Sequence, residues 1–334
     1  MKKLVLIFLV ILSFAGINSL SIKGNKSLSP VYSSISQDSL ITPVKTVPVA
    51  LVGDLQRTTV WELMIGREQN DAERVKIIKN IAYENPGALI LLGDMVSNGS
   101  DVNEWIYFKN LLEPVIKKNI PIIPVLGNHE YWGNDSAALY NAGQVFPVLQ
   151  KKHWYFITYG NIVFIILDSN KDNLTGNEWS EQIKWLENKL KYYDSDSSVK
   201  GIILCFHHPP FTNSIVTGDN INVQEAFVQP FLNSKKTIVV INGHAHTYER
   251  FLKNGKMFVV SGGGGGPRVL LKTGANIHND LVNLPSPRPF NYLLLYQESA
   301  GITIVVKGLN KGSSKFYTLD DFSIPFFSPK TSLK

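Results

Sequence analysis

An α/β protein with a mixed central sheet is what the sequence predicts, and three observations predict it. Short apolar runs of strand length recur through roughly the first 240 residues. Between them lie longer segments whose apolar residues repeat at helical spacing. Towards the end the runs are nearly all strand-like, and alternation followed by strands argues a mixed layer. The 334 residues are 44% hydrophobic and 18% charged, enough for one large core, alone or with a small appendage.

The elements follow in order. Residues 1–21 read as a secretory signal peptide: Lys2 and Lys3, an apolar stretch at 4–17, then small residues Ser19 and Ser21. The alternative is an uncleaved membrane anchor, for which 4–17 is short. Cleavage predicts a periplasmic or secreted protein without a stable membrane span. Residues 22–46, rich in Ser with Pro30 and Pro43, read as a tail or linker. Residues 47–320 are expected to form the folded domain, and 321–334 a C-terminal tail.

A buried strand over 49–52 runs into Gly53-Asp54-Leu55-Gln56. A helix is predicted over 71–84, with Asp71 as N-cap, Val75, Ile77, Ile78 and Ile81 on one side, and Pro86-Gly87 as the stop. The strand over 88–92 leads into Gly93-Asp94, and a helix over 103–118 is broken near Pro114. The strand over 122–126 leads into Gly127-Asn128-His129-Glu130, followed by a loop region rich in aromatics: Tyr131, Trp132, Tyr140 and Phe146. Gly160-Asn161 joins strands 154–159 and 162–167 as a hairpin, with Asp168 at the end. A helix over 178–192 precedes the strand over 202–206, which runs into His207-His208-Pro209-Pro210. A helix over 222–233 and a strand over 237–241 deliver Gly243-His244-Ala245-His246-Thr247-Tyr248-Glu249-Arg250. Further strands are predicted over 257–260, 292–296, 302–306 and 315–318.

Five of these strands end in a metal-competent residue: Asp54, Asp94, Asn128, His207 and His244. Ligands gather beyond the carboxyl ends of strands in open α/β sheets, so the five can converge on one site. His246 adds an imidazole one residue beyond His244. Oxygen and imidazole donors without thiolate suit Zn²⁺, Mn²⁺ or Fe. The donors exceed the needs of one tetrahedral ion, which points to two ions sharing a bridging carboxylate. Such pairs serve in-line attack of an activated water on a phosphoryl centre. No Gly-x-Ser-x-Gly elbow is present to supply a serine nucleophile.

These blocks resemble the calcineurin-like metallophosphoesterase superfamily, whose motifs run Asp-x-His, Gly-Asp, Gly-Asn-His-Glu/Asp, a His before x-Pro, and Gly-His-x-His. Residues 127–130 and 243–250 are most similar to the purple acid phosphatase branch. The resemblance implies a four-layer α/β sandwich, with two central mixed β-sheets flanked by helices. It implies a first metal held by Asp54, Asp94 and His246, and a second held by Asp94, Asn128, His207 and His244. It implies that His129 protonates the leaving oxygen or stabilises developing charge. The His-x-Pro spacing selects His207 over His208. Two departures stand out: Gln56 occupies the place of the first block's His, leaving a weaker amide oxygen as donor. Ser97 stands where the branch has its metal-binding Tyr, which implies a colourless enzyme with an altered first site. The ions implied are Mn, Zn, Fe or Mg.

The remaining motifs carry less. His208 reads as a support for the neighbouring ligands or as packing, and Asp168 as a turn or helix-entry residue. Glu249 and Arg250 read as a structural pair, with a phosphate contact for Arg250 as the alternative. Tyr131, Trp132 and Tyr140 read either as pocket lining or as packing. The five glycines at 262–266 lack the Lys-Ser/Thr ending of a phosphate loop and read as a tight turn beside the metal site. Cys205 lies in an apolar run and offers no internal disulfide. The formal charge of +6 is dispersed, so no nucleic-acid partner is expected. The expected function is exported hydrolysis of small phosphomonoesters or phosphodiesters, including nucleotides and lipid head groups. A non-catalytic binding protein on a degenerate scaffold is the alternative, and oligomeric state is left open.

Overall fold

The computed structural model describes residues 28–30, 37–41, 47–275 and 277–327. The expected signal peptide and the last seven residues of the expected C-terminal tail lie outside the described residues. Thirteen strands are described: β1 (Ser39–Ile41), β2 (Val49–Val52), β3 (Ala88–Leu91), β4 (Ile122–Pro124), β5 (Tyr155–Tyr159), β6 (Ile162–Ile166), β7 (Gly201–Cys205), β8 (Thr237–Asn242), β9 (Tyr248–Lys253), β10 (Lys256–Ser261), β11 (Phe290–Gln297), β12 (Gly301–Leu309) and β13 (Phe316–Pro325). They form two mixed sheets, one ordered β1-β5-β6-β7-β8-β10-β9 and the other β13-β12-β11-β2-β3-β4. Strands β2, β3 and β4 are parallel to one another, as are β6, β7, β8 and β10. The carboxyl ends of β2, β3, β4, β7 and β8 are the five ligand-bearing ends.

The apolar runs are continuous because the seven-stranded sheet is covered on both faces. Along β6, Ile162, Phe164 and Ile166 point into the core shared with the other sheet, while Val163 and Ile165 enter a second core. Strand β7 alternates likewise, with Ile203 and Cys205 inside and Ile202 and Leu204 outside. Cys205 is thus a buried core residue, and burial lifts its thiol far out of the reactive range.

Helices α1 (Val60–Met64), α2 (Asp71–Glu84), α3 (Val102–Leu111), α4 (Glu113–Ile116), α5 (Asp135–Val145) and α6 (Gly176–Ser195) connect the strands. Ile77, Ile78 and Ile81 of α2 and Trp105 and Phe108 of α3 close the first core. Leu186 and Leu190 of α6 close the second, with Phe227 and Phe231 from the helical stretch over 221–233. Pro114 opens α4, confirming the expected break.

The structure corrects five expectations. The expected linker contributes β1, which pairs in parallel with β5. Strand β13 runs to Pro325, past the expected boundary at 320, because it pairs along the whole of β12. Part of the region expected as loop is α5, capped by the Asn134 side chain. Its buried face is built from Ala138, Asn141, Ala142 and Val145, small or polar residues that make a weak periodic signal. Asn70, not Asp71, stands at the start of α2, and its side chain is spent on the Gly266 carbonyl (3.1 Å) rather than on a cap. Residues 248–253, over which no strand is predicted, form β9 against β10.

Leu186 is fully buried beneath α6. Its replacement by Ala is expected to cost about 2–5 kcal/mol, read from chemical denaturation; the exposed neighbour change Glu187→Ala should move the midpoint little.

Candidate metal centre

At the carboxyl ends of β2, β3 and β8 the backbone is forced into the left-handed region. Asp54 (φ 64°), Asp94 (φ 51°), His244 (φ 68°) and His246 (φ 38°) are four of the eight non-glycine residues there among those described. Strain of this kind persists where the surroundings over-determine it, and functional sites are where it collects. The preceding glycines follow from crowding. A Cβ on Gly127 would lie 2.2 Å from Asp94 Oδ1, and one on Gly243 would lie 2.7 Å from Asp54 Oδ2.

Two groups of donors result. In the first, Asp54, Asp94 and His246 bring ligand atoms within 4.8 Å of one another. His246 Nδ1 donates to the Pro267 carbonyl at 2.8 Å, which leaves Nε2 facing Asp54 Oδ1 at 3.3 Å. The Gln56 amide satisfies both its ends with its nitrogen on the carbonyls of Asp54 (3.3 Å) and Asp94 (3.0 Å). That orientation turns its oxygen towards His246 Nε2 at 2.9 Å. In the second group, His207 Nδ1 donates to the Leu92 carbonyl (2.8 Å) and presents Nε2. That nitrogen lies 3.2 Å from Asn128 Oδ1, 3.1 Å from His244 Nδ1 and 3.2 Å from Asp94 Oδ2. Asp94 therefore stands between the groups.

The donors fit metal ions. Lone pairs of carboxylate, amide oxygen and imidazole converge in each group, and only a proton or a cation relieves that convergence. The titrations have the same cause. Burial would lift Asp94, but the imidazoles of His207 and His129 outweigh it and hold the carboxyl well below its usual range. Burial lowers His207, yet Asp94 wins and raises it to about 9, so without metal it keeps a proton that an ion replaces. Burial raises Asp54, with His246 opposing. His244 falls well below its ordinary value through burial and the neighbouring His208 and His207.

His129 lies beside both groups, its Nε2 3.8 Å from Asp94 Oδ2. Its Nδ1 donates to the Ser97 carbonyl (2.9 Å), and the Trp132 ring stacks on it at 3.6 Å between centroids. The glycine run packs where expected. Gly266 N–H donates to the Asp54 carbonyl and Gly264 N–H to that of Gly53, both at 2.9 Å. A Cβ on Gly266 would meet the His246 ring at 2.7 Å.

Two candidates are not brought to the centre. Tyr131 is buried, with its hydroxyl donating to Asp168 and 3.0 Å from His153 Nδ1, so it fixes a loop. Arg250 is drawn off by Asp320 on β13, through Nε at 2.9 Å and Nη2 at 3.3 Å, and stacks on Phe322. Its expected partner Glu249 instead accepts from Thr212 Oγ1 (2.6 Å) and Asn213 N–H (2.8 Å), because neighbours on a strand face opposite ways. Asp168 is the turn residue expected, accepting from Asn170 N–H at 3.0 Å.

Sequence reasoning missed the role of Glu130. Glu130 is fully buried, and its carboxylate accepts the N–H groups of Asp94 (2.8 Å), Met95 (2.7 Å), Val96 (3.2 Å) and Gly127 (2.7 Å). It ties the loop bearing Asp94 to the loop bearing Asn128; its place in the block beside His129 was the available signal. Burial, then Asp94, raises it to about 7. Of the two readings of His208, the structure favours support for the ligands: its ring lies 4.4 Å from that of His244. Its ligand atom lies within 4.8 Å of those of His207 and His244. Ser169 Oγ meets its Nδ1 at 2.8 Å.

This fold and this pair of donor groups define a metallophosphoesterase. A family model for calcineurin-like phosphoesterases matches residues 47–248, and the chain belongs to that family. It is similar to purple acid phosphatase 22 of Arabidopsis thaliana, 26% identical over 225 residues covering 64% of this chain and 48% of the relative. It is also similar to that plant's purple acid phosphatase 15, 23% identical over 65% of this chain and 44% of the relative. The chain thus spans less than half the length of either. Among solved structures, purple acid phosphatase PPD1 of yellow lupin covers 85% of this chain and 54% of its own, with a TM-score of 0.64 at 19% identity. A dimetal phosphatase from Danio rerio covers 85% of this chain and all of its own, at TM-score 0.55 and 14% identity. These structures share the fold.

Away from the metals, Glu249 offers a test of the electrostatics. Burial raises it from 4.5 to about 7, so the folded chain holds a proton that the unfolded chain has released. Its contribution to stability therefore declines as pH rises from about 4.5 to about 7. Thermal melts of Glu249→Gln should lose that part of the slope, gaining on the unaltered chain as pH rises.

Proposed function

We propose that the chain is a dinuclear-metal hydrolase of small phosphoesters, acting outside the cytoplasm and favouring monoesters over diesters. The observation that carries this reading is the position of Asp94, whose carboxylate faces both donor groups with His129 beside it. Asp54, Gln56, Asp94 and His246 would hold one ion, and Asp94, Asn128, His207 and His244 the other. Bound there, the ions would polarise a phosphoryl oxygen and acidify a water. Hydrolysis joins the water oxygen to phosphorus and breaks the bond to the leaving oxygen, which needs a proton. His129 is arranged to give it: Nδ1–H is engaged by Ser97, so Nε2 is the free edge, held flat by Trp132. The lean to monoesters rests on residues 243–250, and the exported location on the signal-like residues 1–21.

His129→Ala is expected to lower turnover by about 10²- to 10⁴-fold without loss of bound metal. The loss should be larger on an alkyl phosphate than on an aryl phosphate, whose leaving oxygen needs its proton less. Equal losses on both esters would remove His129 from the acid role. A matched aryl diester, run in parallel, decides the ester preference.

Gln56 is the observation that favours a second reading, a non-catalytic binding protein with an impaired first site. One similar Arabidopsis thaliana protein is described as a probable inactive purple acid phosphatase. The oxygen of Gln56 already faces His246, so Gln56→His is expected to lower turnover. A sharp rise, with more metal bound, would support the second reading.

A further inference from the structure

Helix α1 buries none of its residues. Val60, Trp61, Met64 and the following Ile65 are 74%, 73%, 71% and 72% exposed. A capping box between Thr59 and Glu62 holds the turn in helical form, so the display is built rather than frayed. Single exposed apolar residues need no explanation, but a contiguous group of this size does.

The group sits at the metal centre. Helix α1 follows Gln56, and the return from it is tied to the glycine-rich loop. Arg67 Nη2 donates at 3.1 Å to the Pro267 carbonyl, the same oxygen that holds His246 Nδ1. Arg268 pairs with Glu68 at 2.8 Å. Beyond Arg268 the same loop exposes Leu270, whose carbonyl accepts from the N–H of exposed Ile215, in the segment that follows His207 and His208. Trp132, 46% exposed, is stacked on His129. Four segments leaving the carboxyl ends of β2, β4, β7 and β10 thus turn large apolar side chains outwards where the donors gather.

We propose that this rim docks on a lipid bilayer and that the substrate is a phosphorylated lipid presented by that surface. The choice of substrate rests on the hydrolytic reading. A second protein seated on the rim would cover the partly exposed donors Asn128 and His244, whereas a bilayer brings the phosphoester in the covering phase itself. Exposed Trp with aliphatic neighbours suits the depth of lipid head groups. The formal charge, still +4 without Lys2 and Lys3 of the expected signal peptide, and exposed Lys272 in the same loop favour an anionic surface. Among the described residues no helix is long and apolar enough to cross a membrane.

The single cysteine is buried, so a new surface cysteine takes a label alone. Met64→Cys in the full chain, carrying an environment-sensitive dye, is mixed with vesicles of phosphatidylethanolamine and phosphatidylglycerol. The dye should shift to the blue, while the same dye on Tyr83→Cys, an exposed site at the far end of α2, should not. Adding Trp61→Ser should weaken the response at position 64 by about tenfold. It should also lower turnover of vesicle-borne phosphatidic acid while leaving a soluble aryl phosphate unaffected. No shift at position 64, or an equal shift at position 83, overturns the proposal. So does a shift that grows with protein concentration in the absence of vesicles, which assigns the rim to a second copy. Turnover of soluble ester is read separately: a vesicle response without any turnover upholds the docking surface and sinks the hydrolase.

Discussion

Two carboxylates, Asp54 and Asp94, lie fully buried at one end of this fold, and the groups of opposite sign that face them are imidazoles. Buried charge without compensation is among the costliest features a protein can hold. Much of the surrounding structure reads as an answer to it. His207 and His246 are each fixed through Nδ1 to a backbone carbonyl, so that Nε2 meets a carboxylate. The His244 N–H donates to Asp54 at 2.9 Å, and the His129 N–H to Asp94 at 3.0 Å. An ion in each group would complete the compensation and replace the protons that these imidazoles otherwise retain.

Holding such groups together requires precision from both sheets at once. Asp54, Asp94 and Asn128 come from the six-stranded sheet, and His207, His244 and His246 from the seven-stranded one. The shared apolar core fixes the spacing between sheets, while Glu130 and the glycine run fix the loops. Glu130 does by side chain what the glycines do by lacking one: it gathers four N–H groups, whereas Gly264 and Gly266 let backbone reach the Gly53 and Asp54 carbonyls. Ligand orientation of this kind, one step out from the donors, commonly governs metal affinity.

Most of the donor set could be read from the sequence because each donor ends an apolar strand, a local signal that survives without tertiary context. The glycines before Asp54, Asp94, Asn128 and His244 were visible for the same reason. What escaped was set by partners distant in sequence. Nothing near Arg250 announces that Asp320, seventy residues on, will claim its guanidinium. Tyr131 looked available until Asp168 and His153 took its hydroxyl. The α5 helix hid behind small residues, and β9 behind the motif that it carries. Glu130 showed its position but not its task, since backbone N–H groups leave no trace in a sequence.

The central claim is that Asp94 links two ions, and metal stoichiometry tests it most directly. Chains stripped and reloaded with Mn²⁺, Zn²⁺, Fe or Mg²⁺ would be compared as the unaltered protein, Asp94→Ala and Asn128→Ala. The account predicts about two ions per unaltered chain, loss of both with Asp94→Ala, and loss of only the second with Asn128→Ala. An Asp94→Ala chain that keeps its full complement, or an unaltered chain that takes up none of the four metals, would contradict it.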